Sequence, residues 1–122
     1  MAVIKLQSNF IEFPFEDSDG NTVLTLKFDK SDDNIKKLEK SIEQFEKEEK
    51  KLLNKENPKF EDGKKVFKKS VDSVFGEGSY EAMYAISPST FTIKTYFTQM
   101  VEGIFNEINN DNAQQKLDKY LR

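Results

Sequence analysis

The sequence predicts an α+β fold dominated by helices: an N-terminal β-hairpin followed by about four to five helices. Three observations carry this expectation. Apolar and polar residues alternate up to about Phe28, Asp, Asn and Gly interrupt the alternation once, and near Ser31 the apolar spacing changes from two to three and four. A chain of 122 residues fits a single domain over 1–122, with the hairpin in 1–30 and the helices in 31–122.

The hairpin comes first. Phe13 and Phe15 alternate with Glu12, Pro14 and Glu16, the pattern of a half-buried strand. Pro14 lacks an N–H donor, which places this run at a sheet edge or a strand end. The stretch EDSDGN supplies turn residues that tolerate positive φ. Leu24, Leu26 and Phe28 then alternate with Thr25 and Lys27, completing strand, turn and strand.

Ser31 or Asp32 is the expected N-cap of the first helix, with Asp33 adding favourable negative charge to its first turn. Ile35, Leu38, Ile42, Phe45 and Leu52 form a narrow apolar stripe, with Glu49 in its one polar gap. Lys and Glu cover the remaining faces, and pairs such as Glu43 with Lys47 add about 0.2–0.5 kcal/mol each. Asn57-Pro58 is the expected stop, because the residue before proline disfavours the α region. A second helix falls within 59–75, where Phe67, Val71, Val74 and Phe75 share a face. A short helix over SYEAMYAI brings Tyr80, Met83 and Tyr84 together, and Ser87-Pro88-Ser89 breaks it. Phe91, Tyr96, Phe97, Met100, Val101, Ile104, Phe105 and Ile108 then mark the widest apolar stripe, and Phe97, Val101, Ile104 and Phe105 are its expected core residues. A polar joint at NNDN is expected before a last short helix carrying Leu117, Tyr120 and Leu121.

Composition narrows the function classes. The formal net charge is −3, which argues against a nucleic-acid binder. Without Cys there are no disulfides or thiolates, and without His the commonest general base and metal ligand are missing. No run approaches the roughly 20 apolar residues that cross a bilayer, and the N-terminal residues show no signal peptide.

The motifs that tempt a catalytic or metal reading fail on spacing. Gly76 and Gly78 in FGEG lack the Lys-Ser or Lys-Thr of a phosphate loop, and Glu81 stands where a dinucleotide fingerprint needs its third glycine. In GKKVFKKS, Lys68 occupies the place of the second glycine. A calcium loop aligned on Gly20 would start at Phe15 and end at Leu26, neither of them a ligand; one starting at Asp29 would put Asn34 sixth and Lys40 twelfth. No catalytic, cofactor or metal residue is assigned. FGEG reads instead as a helix corner: Gly76 closes one helix in a left-handed conformation and Ser79 caps the next.

Taken together, the hairpin NFIEFPFEDSDGNTVLTLKFDKSDDNIKK, the charged helix and the run VDSVFGEGSYEAMYAISPSTFTIKTYFTQMVEGIFNEI resemble the tail assembly chaperones of long-tailed phages and prophages of Gram-positive hosts. The corner D-x-V-F-G-E-G, followed by a small aromatic helix and a long apolar one, is the most specific part. The resemblance implies a non-enzymatic protein that coats the tape measure protein and helps recruit tail-tube subunits. It implies action in the host cytoplasm, possible homo-oligomers, and departure before the virion is complete. It also implies that a frameshift-extended form can accompany the short one. The competing class is a generic helical interaction or regulatory module of phage or bacterial origin. The candidate partner surface comprises Phe10, Phe13 and Phe15 of the hairpin with Phe75, Tyr80 and Tyr84 of the corner, because exposed apolar patches mark contact sites. The alternative is that these rings all pack inside.

Overall fold

A computed structural model describes the backbone of residues 1–121 and the side chains of residues 1–109. It shows an α+β chain in the order β1 (Phe10–Glu16), β2 (Thr22–Asp29), α1 (Asp32–Leu53), α2 (Phe60–Phe75), α3 (Ser79–Ile86) and α4 (Thr90–Leu121). The backbone divides into two compact units, Met1–Pro88 and Ser89–Arg122. The hairpin is not separate from the helices that follow it, because β2 packs on α2 and α3 within the first unit.

β1 and β2 pair antiparallel, with Ile11 opposite Phe28, Phe13 opposite Leu26 and Phe15 opposite Leu24. Because side chains alternate across a strand, this register puts all these apolar residues on one face. Glu12 and Lys27 pair on the other face, 3.7 Å apart. A bulge at Phe15/Glu16 leaves Val23 as the extra residue of β2. The turn is held by Asp17. Its carbonyl accepts the Gly20 N–H at 3.0 Å. Its side-chain Oδ1 accepts the N–H groups of Asp19 and Asn21 at 3.0 and 2.9 Å. Gly20, at φ 83°, supplies the positive φ that this turn needs.

Helix α1 begins after Ser31, whose side chain makes no cap bond; the Asp29 carboxylate accepts the Ser31 N–H at 3.0 Å instead. Asp32 and Asp33 in the first turn and Lys50 and Lys51 in the last complement the helix dipole. The helix stops at Leu53, short of the expected Asn57-Pro58, and Asn54 is its C-cap. Helix α2 returns antiparallel to it. Ser41 Oγ meets Ser73 Oγ at 2.7 Å, and the Phe45 and Phe67 rings pack edge to face with centroids 6.1 Å apart. Along α1 only Leu38 is fully buried, so its stripe is a seam rather than a core face. The interior of this unit contains Ile11, Leu26, Phe28, Leu38, Phe67, Val71, Val74, Tyr80 and Met83.

In the second unit α4 is continuous over 32 residues, so the expected polar joint at NNDN is helical. Propensity explains this: Asn and Asp are only mildly unfavourable inside a helix, and no Gly or Pro stands there to stop it. The side chains of Leu117, Tyr120 and Leu121 lie outside the described residues. The Ser89 hydroxyl caps the start of α4 by accepting the Thr92 N–H at 3.2 Å. The deepest residues are Ile93, Met100 and Ile104, at 0, 3 and 0% exposure. Of the expected core set only Ile104 is fully buried; Phe97, Val101 and Phe105 are half-buried. Phe91, expected on the stripe, is 82% exposed. At 100° per residue Ile93, Met100 and Ile104 lie within about 40° of one another, while Phe91 lies nearly opposite.

Candidate functional site

The corner between α2 and α3 positions most of the candidate residues. Helix α2 ends at Phe75, and Gly76 takes φ 109° and ψ 155°. This is a positive φ as expected, but outside the left-handed helical region; a backbone of this kind is essentially confined to glycine. The Gly76 carbonyl accepts the Ser79 N–H at 3.2 Å, with Gly78 at φ 88° and ψ −5°. A glycine with those angles at the third position makes this a type II turn. Ser79 does not cap α3. It is the first helical residue and is buried, and Gly78 takes the N-cap position. The capping acceptor comes from the preceding helix: Asp72 Oδ1 accepts the Tyr80 N–H at 3.0 Å. Lys68 Nζ meets Glu81 Oε1 at 2.8 Å, a second tie between α2 and α3. That hydrogen bond and its charge hold the Glu81 carboxyl below its ordinary range and the Lys68 ammonium above its own.

Ring contacts accompany these ties on both sides of the corner. Phe75 meets Phe13 edge to face at 6.1 Å and Phe28 at 6.3 Å, so helix end and sheet face lock through rings. Tyr80 packs edge to face on Phe67 at 6.0 Å and stacks with Tyr84 at 5.9 Å. Lys64 Nζ lies 4.7 Å from the centre of the Tyr84 ring, within cation–π range.

The candidate residues therefore do not form one surface. Phe13, Phe15, Phe75 and Tyr84 are half-buried and keep part of each ring accessible. Tyr80 has 0% exposure, so it positions its neighbours and offers nothing to a partner. Phe10 is 55% exposed, but strand parity puts it on the sheet face of Glu12 and Glu16, away from Phe13 and Phe15. The alternation of the sequence carried that parity signal.

Sequence reasoning missed the groove between α1 and α2. Its volume is about 330 Å³, and Ser41, Gln44, Phe45, Glu48, Lys69 and Ser70 are among its lining residues. Gln44 and Lys69 both reach Glu48, at 3.2 and 3.5 Å, and hold its carboxyl below the ordinary range. The Ser70 hydroxyl is buried without a hydrogen-bond partner. Ser41 and Ser73 bond to each other rather than to a base, so the groove presents hydroxyls and an ion pair without an activated nucleophile. Among the described residues no group of His, Cys, Asp and Glu could hold a metal ion, and no helix is long and apolar enough to cross a membrane.

The chain matches no known protein family, no curated protein and no solved structure.

Proposed function

We propose that this protein is a tail assembly chaperone that binds the tape measure protein of a long-tailed phage and helps recruit tail-tube subunits in the host cytoplasm. The observation that carries the reading is the half-covered aromatic face formed by Phe13, Phe15 and Phe75. All three side chains are half-buried, and Phe13 and Phe75 hold each other edge to face at 6.1 Å, so part of an ordered aromatic surface reaches solvent. Rigid aromatic anchors bind at low entropic cost, and partly exposed apolar patches mark contact sites. An apolar stripe along a partner helix is the complementary shape, as in helix-in-groove recognition. The resemblance through the hairpin and the D-x-V-F-G-E-G corner points to the tape measure protein as that partner. Several copies along one long partner would gain avidity and still release one by one.

Co-expression with the tape measure protein tests this directly. The expected result is a soluble complex that survives pull-down. If the tape measure protein is equally insoluble with and without this chain, and no complex is recovered at low salt, the reading is wrong.

A further inference from the structure

Residues 1–9 are exposed along their whole length and belong to no helix or strand. Among the described residues they hold the densest run of exposed apolar side chains, with Val3 at 77%, Ile4 at 89% and Leu6 at 98% exposure. As a strand, Ala2, Ile4 and Leu6 would fall on one side, fully apolar, and Val3, Lys5 and Gln7 on the other, mostly polar. A strand of this kind needs a sheet edge, and the hairpin has two.

The edges are not equivalent. The Lys30 N–H donates to the Asn9 carbonyl at 2.8 Å, and this fixes which residues face across the ladder. By antiparallel alternation, the N–H groups of β1 that point outward belong to Phe10 and Glu12, and Pro14 occupies the next outward position. The Phe10 N–H is taken by the Ser8 hydroxyl at 3.2 Å, and Pro14 has no N–H. The outer edge of β1 is therefore blunted. On β2 the same alternation turns the backbone groups of Thr25 and Lys27 outward. Both residues are exposed, and among the described residues no backbone bond beyond the ladder reaches them. An open edge of this kind is a template for another strand.

We infer that residues 2–7 of one copy add as a third, antiparallel strand to the β2 edge of a second copy. The exchange is reciprocal, so two arms are buried in a closed two-fold dimer. Side-chain parity restricts the register, because Ile4 and Leu6 must fall on the face of Leu24, Leu26 and Phe28. Setting Lys5 opposite Thr25 places Ala2 beside Phe28, Ile4 beside Leu26 and Leu6 beside Leu24. The smallest arm residue then faces the largest sheet residue. This register also keeps Lys5 from standing directly opposite Lys27, a like-charge pair that would destabilise the ladder. The occupant is a second copy because the chain's own arm leaves from the β1 side and lies free of its own sheet.

The interface does not rest on the tape measure reading, and its test involves no tape measure protein. The chain has no cysteine, so introduced thiols report cleanly. Lys5 and Thr25 are both exposed, which leaves the fold out of the experiment. Differently tagged full-length Lys5→Cys and Thr25→Cys variants, mixed and mildly oxidised, are expected to form a mixed disulfide dimer. Its yield should exceed that of Lys5→Cys with Glu12→Cys, on the blunted edge, by about tenfold, and adding Ile4→Asp should remove the excess. Equal yields for Thr25→Cys and Glu12→Cys would overturn the proposal. So would an Lys5→Cys/Thr25→Cys chain that closes only on itself at every concentration.

Discussion

Gly76 and Gly78 share a turn yet hold different backbone regions, and this separates the effects of substituting them. A Cβ at either position meets nothing within 4 Å, so any cost lies in the backbone and not in packing. Gly78 sits in the left-handed helical region, which Asn tolerates; Gly76, at ψ 155°, does not. Gly78→Asn is expected to cost clearly less than Gly76→Asn, and Gly76→Val to lower stability by about 1–3 kcal/mol. Denaturant melts of the three variants check this; equal losses for the two Asn variants would contradict it. Ser70 is the opposite case. Its buried hydroxyl has no partner, and leaving such a group unsatisfied costs about 1–3 kcal/mol. Ser70→Ala removes the hydroxyl at little cost in volume, so its melting temperature is expected to match or exceed that of the parent chain.

The second and fourth helices make their own tests at the scale of the element. Asp72 belongs to α2 but caps α3, so its loss should loosen α3 more than α2. Asp72→Ala is expected to cost about 0.5–2 kcal/mol, and Asp72→Asn, which keeps an acceptor, less. Hydrogen exchange at the Tyr80 amide would rise in the first variant, and unchanged protection there would remove the cap from the account. In α4 the burial pattern reverses the weight that size alone would suggest. Ile93→Ala is expected to cost about 2–5 kcal/mol, while Phe91→Ala stays within about 0.5 kcal/mol. A thermal melt of each distinguishes them at once. The apolar letters of this helix were legible in the sequence. Its phase was legible too, but only by turning the wheel about Ile93 rather than counting aromatic residues.

For the molecule as a whole, the Lys68–Glu81 pair is solvent-facing and its contribution is small. Glu81 is held below its ordinary pKa, so its pairing with Lys68 supports folding above the carboxylate range and is lost as pH falls through the lowered value. Lys68 is held above its ordinary pKa, so its share is present below the lysine range and is lost as pH rises through the raised value. Between those limits this pair adds no pH dependence. Lys68→Met should therefore leave the neutral melting temperature nearly unchanged and flatten only the ends of the pH profile. A large loss at neutral pH would show that the pair organises the corner. Function is tested at the same scale by the two faces of the hairpin. Phe15→Ser, on the half-covered aromatic face, is expected to weaken capture of the tape measure protein. Phe10→Ser, on the Glu12 face, should not. Equal effects in a pull-down would move the partner surface elsewhere.

The sequence alone determined the hairpin, the place where the period changes, the Gly20 turn, and the existence of helices α1 to α4, because each depends on local backbone preference and on side-chain period along one segment. It also named Phe13, Phe15 and Phe75 as candidate contact residues, and the structure leaves all three half-buried. It did not separate Tyr80 from Tyr84, because both are aromatic, in the same helix and one turn apart. Tyr80 lies beneath Phe67 with no exposed surface, while Tyr84 stacks on it from outside. Nor did it show that the acceptor capping α3 comes from Asp72, eight residues before Tyr80. Burial and capping across a corner depend on which neighbours the chain brings together. That is a property of the packed molecule, and no single segment carries it.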